Sequence, residues 1–380
     1  MNIEFEEFGS SRTRRTLTAS AALLRRLHVD EPLLLGLLVI ICFGLVVLYS
    51  ASGQNIFVVR AQALRFVLAI AAMLAIANVH PRHLRMFAVP TWVVGVLLLL
   101  VVTAVGHVGK GAQRWLDLGL FRFQPSELMK LAVPLACAWY LHDRPLPPTF
   151  KTLLLPFVFI LVPVGLIVEQ PDLGTALLIL ASGALVILMA GLRIWVIVAA
   201  LVLIAVGGYV GWEFMHDYQR QRILTFLNPQ SDPLGAGYHI IQSQIAIGSG
   251  GVFGKGWMNG SQAQLEFLPE RSTDFIFAVI GEEFGLLGLM LLIALYLFVI
   301  GRTLFMALQA QDTFARLVAG SLSITFFVYV FVNTGMVSGL LPVVGVPLPL
   351  VSYGGSSMVT LMAGFGILMS LHSHRKLVGS

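Results

Sequence analysis

The chain has 380 residues, of which 57% are hydrophobic and only 11% charged, and its formal net charge is +5. Apolar runs of about eighteen residues or more recur from Leu33 onward, which excludes a soluble globular fold and marks a polytopic helical membrane protein. The basic residues sit in tails and short loops without an aromatic-interleaved basic face, so the charge reports membrane topology and excludes a nucleic-acid partner.

Residues 1–30 form a basic tail with Arg12, Arg14, Arg15, Arg25 and Arg26, followed by "EPLLLGLLVIICFGLVVLYSASG". The small-residue end imitates a signal-peptidase site, but the apolar stretch is long for a signal sequence and further spans follow, so it reads as a retained first helix. Apolar length and polar breaks place spans near residues 31–50, 62–79, 86–106, 126–142, 152–168, 173–191, 193–212, 275–300, 315–339 and 349–371. The expected fold is therefore all-α, about ten transmembrane helices in one domain over 31–374, with a short cytoplasmic tail at 375–380. With the N-terminus inside, the cytoplasmic turns carry Arg82, Arg85, Arg144, Lys151, Arg193, Arg302, Arg316, Arg375 and Lys376, so both termini are expected in the cytoplasm. Three outward segments remain, 107–125, 213–274 and 342–357, the second being a large extracytoplasmic loop between helices 7 and 8. They hold Lys110, Arg114, Arg122, Lys255 and Arg271 against the topological preference, so something on that face requires positive charge.

Within the spans, charge is scarce. Glu127 and Lys130 stand three apart on one helix face, where they can pair. Glu282 and Glu283 lie in the eighth span, and Glu169 and Asp172 bracket the turn "EQPDLG". Such groups face a bundle interior or a wet cavity, because each costs about 2.5–3.5 kcal/mol in hydrocarbon even on an insertion scale. Two readings stand for Glu127 and Lys130, a structural ion pair and a substrate or coupling contact. Asp172 likewise reads as a functional carboxylate or as a helix N-cap. His80 and His83 in "HPRH" have metal-like spacing, but a proline and an arginine in a short turn make them interfacial residues. Cys42 and Cys137 fall in apolar runs, where they read as small core residues and not as a disulfide or thiolate site. "GSGGVFGKG" lacks both the preceding strand and the following Ser/Thr of a phosphate loop, so no nucleotide is expected.

The motifs "GAQRWLDLGLFRFQPSELMK", "EQPDLGTALL", "GYHIIQSQIAIGSGGVFGKGW", "QLEFLPERSTDFIFAVIGEEFG" and "GLLPVVGVPLPLVSYGGSSM" together resemble the RodA/FtsW (SEDS) family of bacterial cell-wall proteins. The resemblance runs from the first span to the last, and "FGKGW" followed by "LEFLPER" resembles the elongation branch more than the division branch. One departure is Ser272, which stands where the family often has His before the Thr-Asp pair. The resemblance implies a peptidoglycan glycosyltransferase that polymerises lipid II on the outer face of the bacterial cytoplasmic membrane. It further implies lipid II and nascent glycan-lipid as substrates, and a class B penicillin-binding protein and other elongation-complex proteins as partners. Asp274 becomes the residue such a family cannot lose.

The chemistry is consistent with that implication. A sugar 4-hydroxyl attacks the anomeric carbon of a second disaccharide and displaces polyprenyl pyrophosphate with inversion, so the hydroxyl needs one base and the leaving group needs positive charge. Asp274, at the outer end of a span, suits the base, and inversion requires no nucleophilic second carboxylate. Lys110, Arg114, Lys255 and Arg271 are candidates for the pyrophosphate. Trp115 reads as a platform for sugar or polyprenyl, or as an interfacial anchor. Tyr353 and Ser356 are candidates for hydrogen bonds to substrate, with helix capping the alternative for Ser356. Glu270 either joins Asp274 in holding a magnesium or manganese ion or pairs with Arg271 or a nearby lysine. Two rival functions make different demands. A lipid II flippase would concentrate its charges near the midplane, often with two-half symmetry, whereas a non-catalytic scaffold activating a penicillin-binding protein leaves the outer cluster unexplained.

Overall fold

The computed structural model describes residues 28–105, 107–109, 112–117, 122–192, 236–265, 267–268 and 270–374, with scattered helical positions between 196 and 228. Its helices are α1 (Glu31–Ala51), α2 (Ile56–Ala77), α3 (Pro81–Val105), α4 (Pro125–Leu141), α5 (Phe150–Glu169) and α6 (Leu173–Met189). These are followed by α7 (Ala236–Gly250), the single turn α8 (Ser261–Gln264), α9 (Ile276–Leu308), α10 (Thr313–Val337) and α11 (Ser356–Ser373). Among the described residues, α1, α2, α3, α5, α9, α10 and α11 are the 7 helices long and apolar enough to cross a membrane, and α6 is a shorter apolar helix. The expected seventh span, 193–212, and the residues of the large loop before Ala236 lie mostly outside the described residues.

The all-α expectation needs one amendment. Residues 107–123 contain three short strands, β1 (His107–Gly109), β2 (Ala112–Asp117) and β3 (Arg122–Phe123), in an antiparallel sheet ordered β1-β2-β3. Glycines interrupt this stretch and Trp, Leu and Phe enrich it, which favours paired strands over another helix.

Local chemistry sets the helix ends. Asp30 caps α1 by accepting from the Leu33 amide at 3.0 Å, with Pro32 in the first turn. Asn55 accepts from the Phe57 amide at 3.0 Å, so α2 begins well before the expected 62 and takes Arg60 into the helix. Prolines inside helices free carbonyls that other groups must satisfy. Pro163 leaves the Phe159 carbonyl without its helical donor, and the Trp92 indole on α3 donates to it at 2.9 Å. Pro347, Pro349 and the Gly354-Gly355 pair keep 342–355 out of helix, so α11 starts at Ser356 and not at the expected 349.

Candidate active site

Two of the sequence motifs, distant along the chain, meet at Asp274. The turn before α9 is stitched to the irregular segment 342–355: the Tyr353 amide donates to the Ser272 carbonyl at 2.8 Å, and the Ser352 hydroxyl to the Thr273 carbonyl at 2.5 Å. Ser352 also accepts from the Leu348 amide at 2.8 Å. Asn333, fully buried on α10, donates its amide to the carbonyls of Asp274 and Val346, at 2.9 and 2.7 Å, and so pins both segments. Backbone ties of this kind fix where the Asp274 carboxylate starts from while leaving the residue only partly buried. One carboxylate oxygen lies beside Gly345, whose φ of +74° is a conformation that favours glycine; a Cβ there would stand 3.6 Å from that oxygen.

Glu270 shares the turn. It is exposed and accepts from the Thr273 hydroxyl at 2.9 Å. Arg271 donates to the Ala263 carbonyl, and its guanidinium reaches the α1–α2 turn, 3.5 Å from where a Cβ on Gly53 would lie. Among the described residues no three His, Cys, Asp or Glu side chains converge to hold a metal ion. A cation at Glu270 and Asp274 would take the rest of its shell from water and substrate, a habit of magnesium.

Other residues singled out in the sequence have partners inside the protein. Arg114 donates to the carbonyls of Gln170, at 3.1 Å, and Pro171, and lies 3.7 Å from an Asp172 oxygen. Asp172 caps α6 through the Thr175 amide and accepts from Gln124 at 3.1 Å, so it ties the sheet to the α5–α6 turn. Trp115 is half-buried on β2. Lys110 lies outside the described residues. Lys255 contacts the buried Glu282 at 2.7 Å, and Glu282 also accepts from the Ser261 hydroxyl and the amides of Gln262 and Ala263. Tyr353 packs its ring under the Arg65 guanidinium, 4.6 Å from its centroid. Ser356 is the first residue of α11, and the cap position belongs to Gly355.

Glu127 and Lys130 do pair, at 2.7 Å, with side chains 6% and 9% exposed. They line a narrow cavity between α4, α10 and α11, together with Thr325, Tyr329 and Thr360. The Lys130 ammonium sits 5.2 Å from the centre of the Tyr329 ring. Sequence reasoning missed Gln62, Arg65 and Asn333. None of the three falls within a motif quoted from the sequence, and a buried asparagine carries no periodic signal.

The family model for FtsW, RodA and SpoVE, a cell cycle protein, matches residues 25–377. The chain is 52% identical over 354 residues to the peptidoglycan glycosyltransferase MrdB of Escherichia coli, covering 93% of this chain and 96% of that one. It is 37% identical over 360 residues to a probable peptidoglycan glycosyltransferase FtsW of Geobacter metallireducens, covering 91% and 95%. A solved structure concerning the coordination of polymerization and crosslinking by a peptidoglycan synthase complex superposes with a TM-score of 0.81 at 34% identity, covering 92% of this chain and 98% of that one. The crystal structure of the rod shape determining protein RodA of Thermus thermophilus superposes with a TM-score of 0.70 at 30% identity, covering 91% and 97%. Matched in sequence and in fold over nearly its whole length, this chain belongs to the FtsW/RodA/SpoVE family.

Proposed function

We propose that this chain, a peptidoglycan glycosyltransferase of the bacterial inner membrane, extends glycan strands from lipid II by a single inverting displacement with Asp274 as general base. The observation that carries the assignment is the tie between the Asp274 turn and segment 342–355 through Asn333, Ser352 and Tyr353, which holds a partly buried carboxylate where two motifs distant in the chain meet. As the bond to the anomeric carbon forms, the attacking 4-hydroxyl passes its proton to Asp274, and the polyprenyl pyrophosphate departs with the bonding pair. In this reading Arg271, a residue of the same turn, supplies positive charge to the leaving phosphates. A magnesium or manganese ion, if used, would be held by Asp274 and Glu270 and would offset the pyrophosphate charge. In this reading the Asp274 end faces away from the cytoplasm, both termini lie inside, and a class B penicillin-binding protein crosslinks the product.

The test is reconstitution with lipid II and the partner, with moenomycin added to silence unrelated glycosyltransferases and transpeptidation blocked. Polymer should form, and Asp274→Asn should abolish it at normal expression, because the amide keeps the shape and cannot take the proton. Normal polymer from the Asn variant removes Asp274 as the base. Movement of labelled lipid II between leaflets without polymer would make the chain a transporter.

A further inference from the structure

Arg65 is the tenth residue of the 22-residue α2, about 14 Å along the axis from Ile56 at the ordinary helical rise. A guanidinium at such depth is costly unless it meets an anion or a wet cavity. Lys130, Lys255 and Arg302 each have a carboxylate within 2.7 Å. Arg65 has none: among the described residues no carboxylate lies within ion-pair distance of it. Its contacts are the Gln62 side-chain oxygen, at 3.5 Å, and the face of Tyr353. Both hold the guanidinium in place without neutralising it, and most of its five N–H donors remain for another partner.

The surroundings specify that partner. Gln62 is fully buried and donates to the Ser352 carbonyl at 3.2 Å, so Arg65 is fastened to the segment that fixes the Asp274 turn. Tyr353, whose ring lies under Arg65, bonds Ser272 through its amide. On the other side of Arg65, α2 turns Leu64, Val67 and Leu68 outward as exposed apolar side chains. A cation between an apolar, lipid-accessible strip and the reacting carboxylate suits an anion carried on a lipid. We propose that Arg65 binds a phosphate of the polyprenyl-linked substrate, by a forked charge-assisted contact, while the polyprenyl chain lies along α2 and the sugar reaches toward Asp274. This deepens the glycosyltransferase reading and rests on it. It gives Arg65 a role that the sequence pattern suggested for Arg114 and Lys255, both of which have protein partners.

The full-length protein with its penicillin-binding partner, in phosphatidylcholine nanodiscs, is assayed for lipid II polymerisation and for inhibition by undecaprenyl pyrophosphate. Loss of one charge-assisted contact corresponds to about tenfold or more in affinity, so Arg65→Met should raise both the KM for lipid II and the inhibition constant by that factor, with kcat changed far less. Arg65→Lys should recover part of both. A folded Arg65→Met protein with both constants unchanged overturns the inference. If only activation by added phosphatidylglycerol is lost and the inhibition constant stays put, the guanidinium serves bulk anionic lipid and the substrate assignment falls. Should the Met variant fail to fold, Arg65→Gln, which keeps a polar group toward Gln62, decides on the same two constants. Wild-type protein that makes no polymer at all is a separate result, against the glycosyltransferase reading itself.

Discussion

At the scale of single residues, Glu127 and Lys130 show what a nearly apolar chain discloses and what it withholds. Their spacing announced a pair, and they lie 2.7 Å apart with little exposure. Removing one partner leaves an uncompensated buried charge, at a cost of about 3–5 kcal/mol, whereas replacing both with neutral groups of similar volume can be nearly neutral. Glu127→Gln and Lys130→Met should therefore each lower the thermal midpoint markedly, and the double variant should recover most of it. Thermal unfolding and polymer yield, measured side by side, check this. A stable but inactive double variant would give one of the two side chains a part in substrate handling or coupling. The pair was legible because both members lie on one helical turn. Arg114 and Lys255 were not, since their partners, Asp172 and Glu282, lie on other elements and no local spacing connects them. Asp274 was singled out through the family motif, whereas the fixing of its turn by Asn333 needed the fold.

At the scale of elements, the glycine run after α7 has a structural explanation. α9 breaks at Gly285, where φ is 64° and ψ is −162°, a conformation open to glycine and little else. The break frees backbone groups that residues 251–256 satisfy: the amides of Lys255 and Gly256 donate to the carbonyls of Glu282 and Glu283, both at 3.0 Å. The amides of Leu286 and Leu287 donate in turn to Gly251 and Val252, at 2.9 and 3.1 Å. Glu282 then locks the following turn through Lys255 and the first amides of α8. The run's lack of phosphate-loop context was readable from sequence. Its role in filling a helix break was not, because nothing local marks a glycine loop as the complement of another helix. Gly285→Ala would place a Cβ 2.3 Å from the Gly254 nitrogen and hold alanine in a strained conformation that alone costs about 1–3 kcal/mol. Gly301, farther along the same helix with open space around it, is the control, where alanine should be neutral or stabilising by about 0.5–1 kcal/mol. Expression level and thermal midpoint of the two variants should differ sharply; similar values would mean that the break is tolerant.

At the scale of the whole molecule, the end opposite Asp274 is closed by groups drawn from both ends of the described chain, and their titration should be visible in its stability. Arg302, late in α9, grips Asp30 before α1 through two contacts, at 3.0 and 2.6 Å. His28 stacks on His374 with ring centres 4.1 Å apart, and His80 meets His374 edge-on at 5.0 Å. Burial works against the Asp30 carboxylate, but hydrogen bonds from Arg302 and the Leu33 amide, with the charges of Arg302 and His372, hold its carboxyl below the usual range. Its contribution is therefore present above the ordinary carboxylate value, is lost only as pH falls through the lower folded value, and adds no slope near neutrality. His374 behaves oppositely. Burial, reinforced by the neighbouring charges of His28 and His80, depresses its pKa against the opposing hydrogen bond to the Ser370 carbonyl. The unfolded chain then takes up the proton first, so stability falls as pH drops below about 6.5, the ordinary histidine value. The thermal midpoint should decline between about pH 7.5 and pH 5.5, and His374→Phe, which keeps a stacking ring and removes the proton, should flatten that decline. Equal slopes for wild type and variant would show that the imidazole stack closes this end by packing alone.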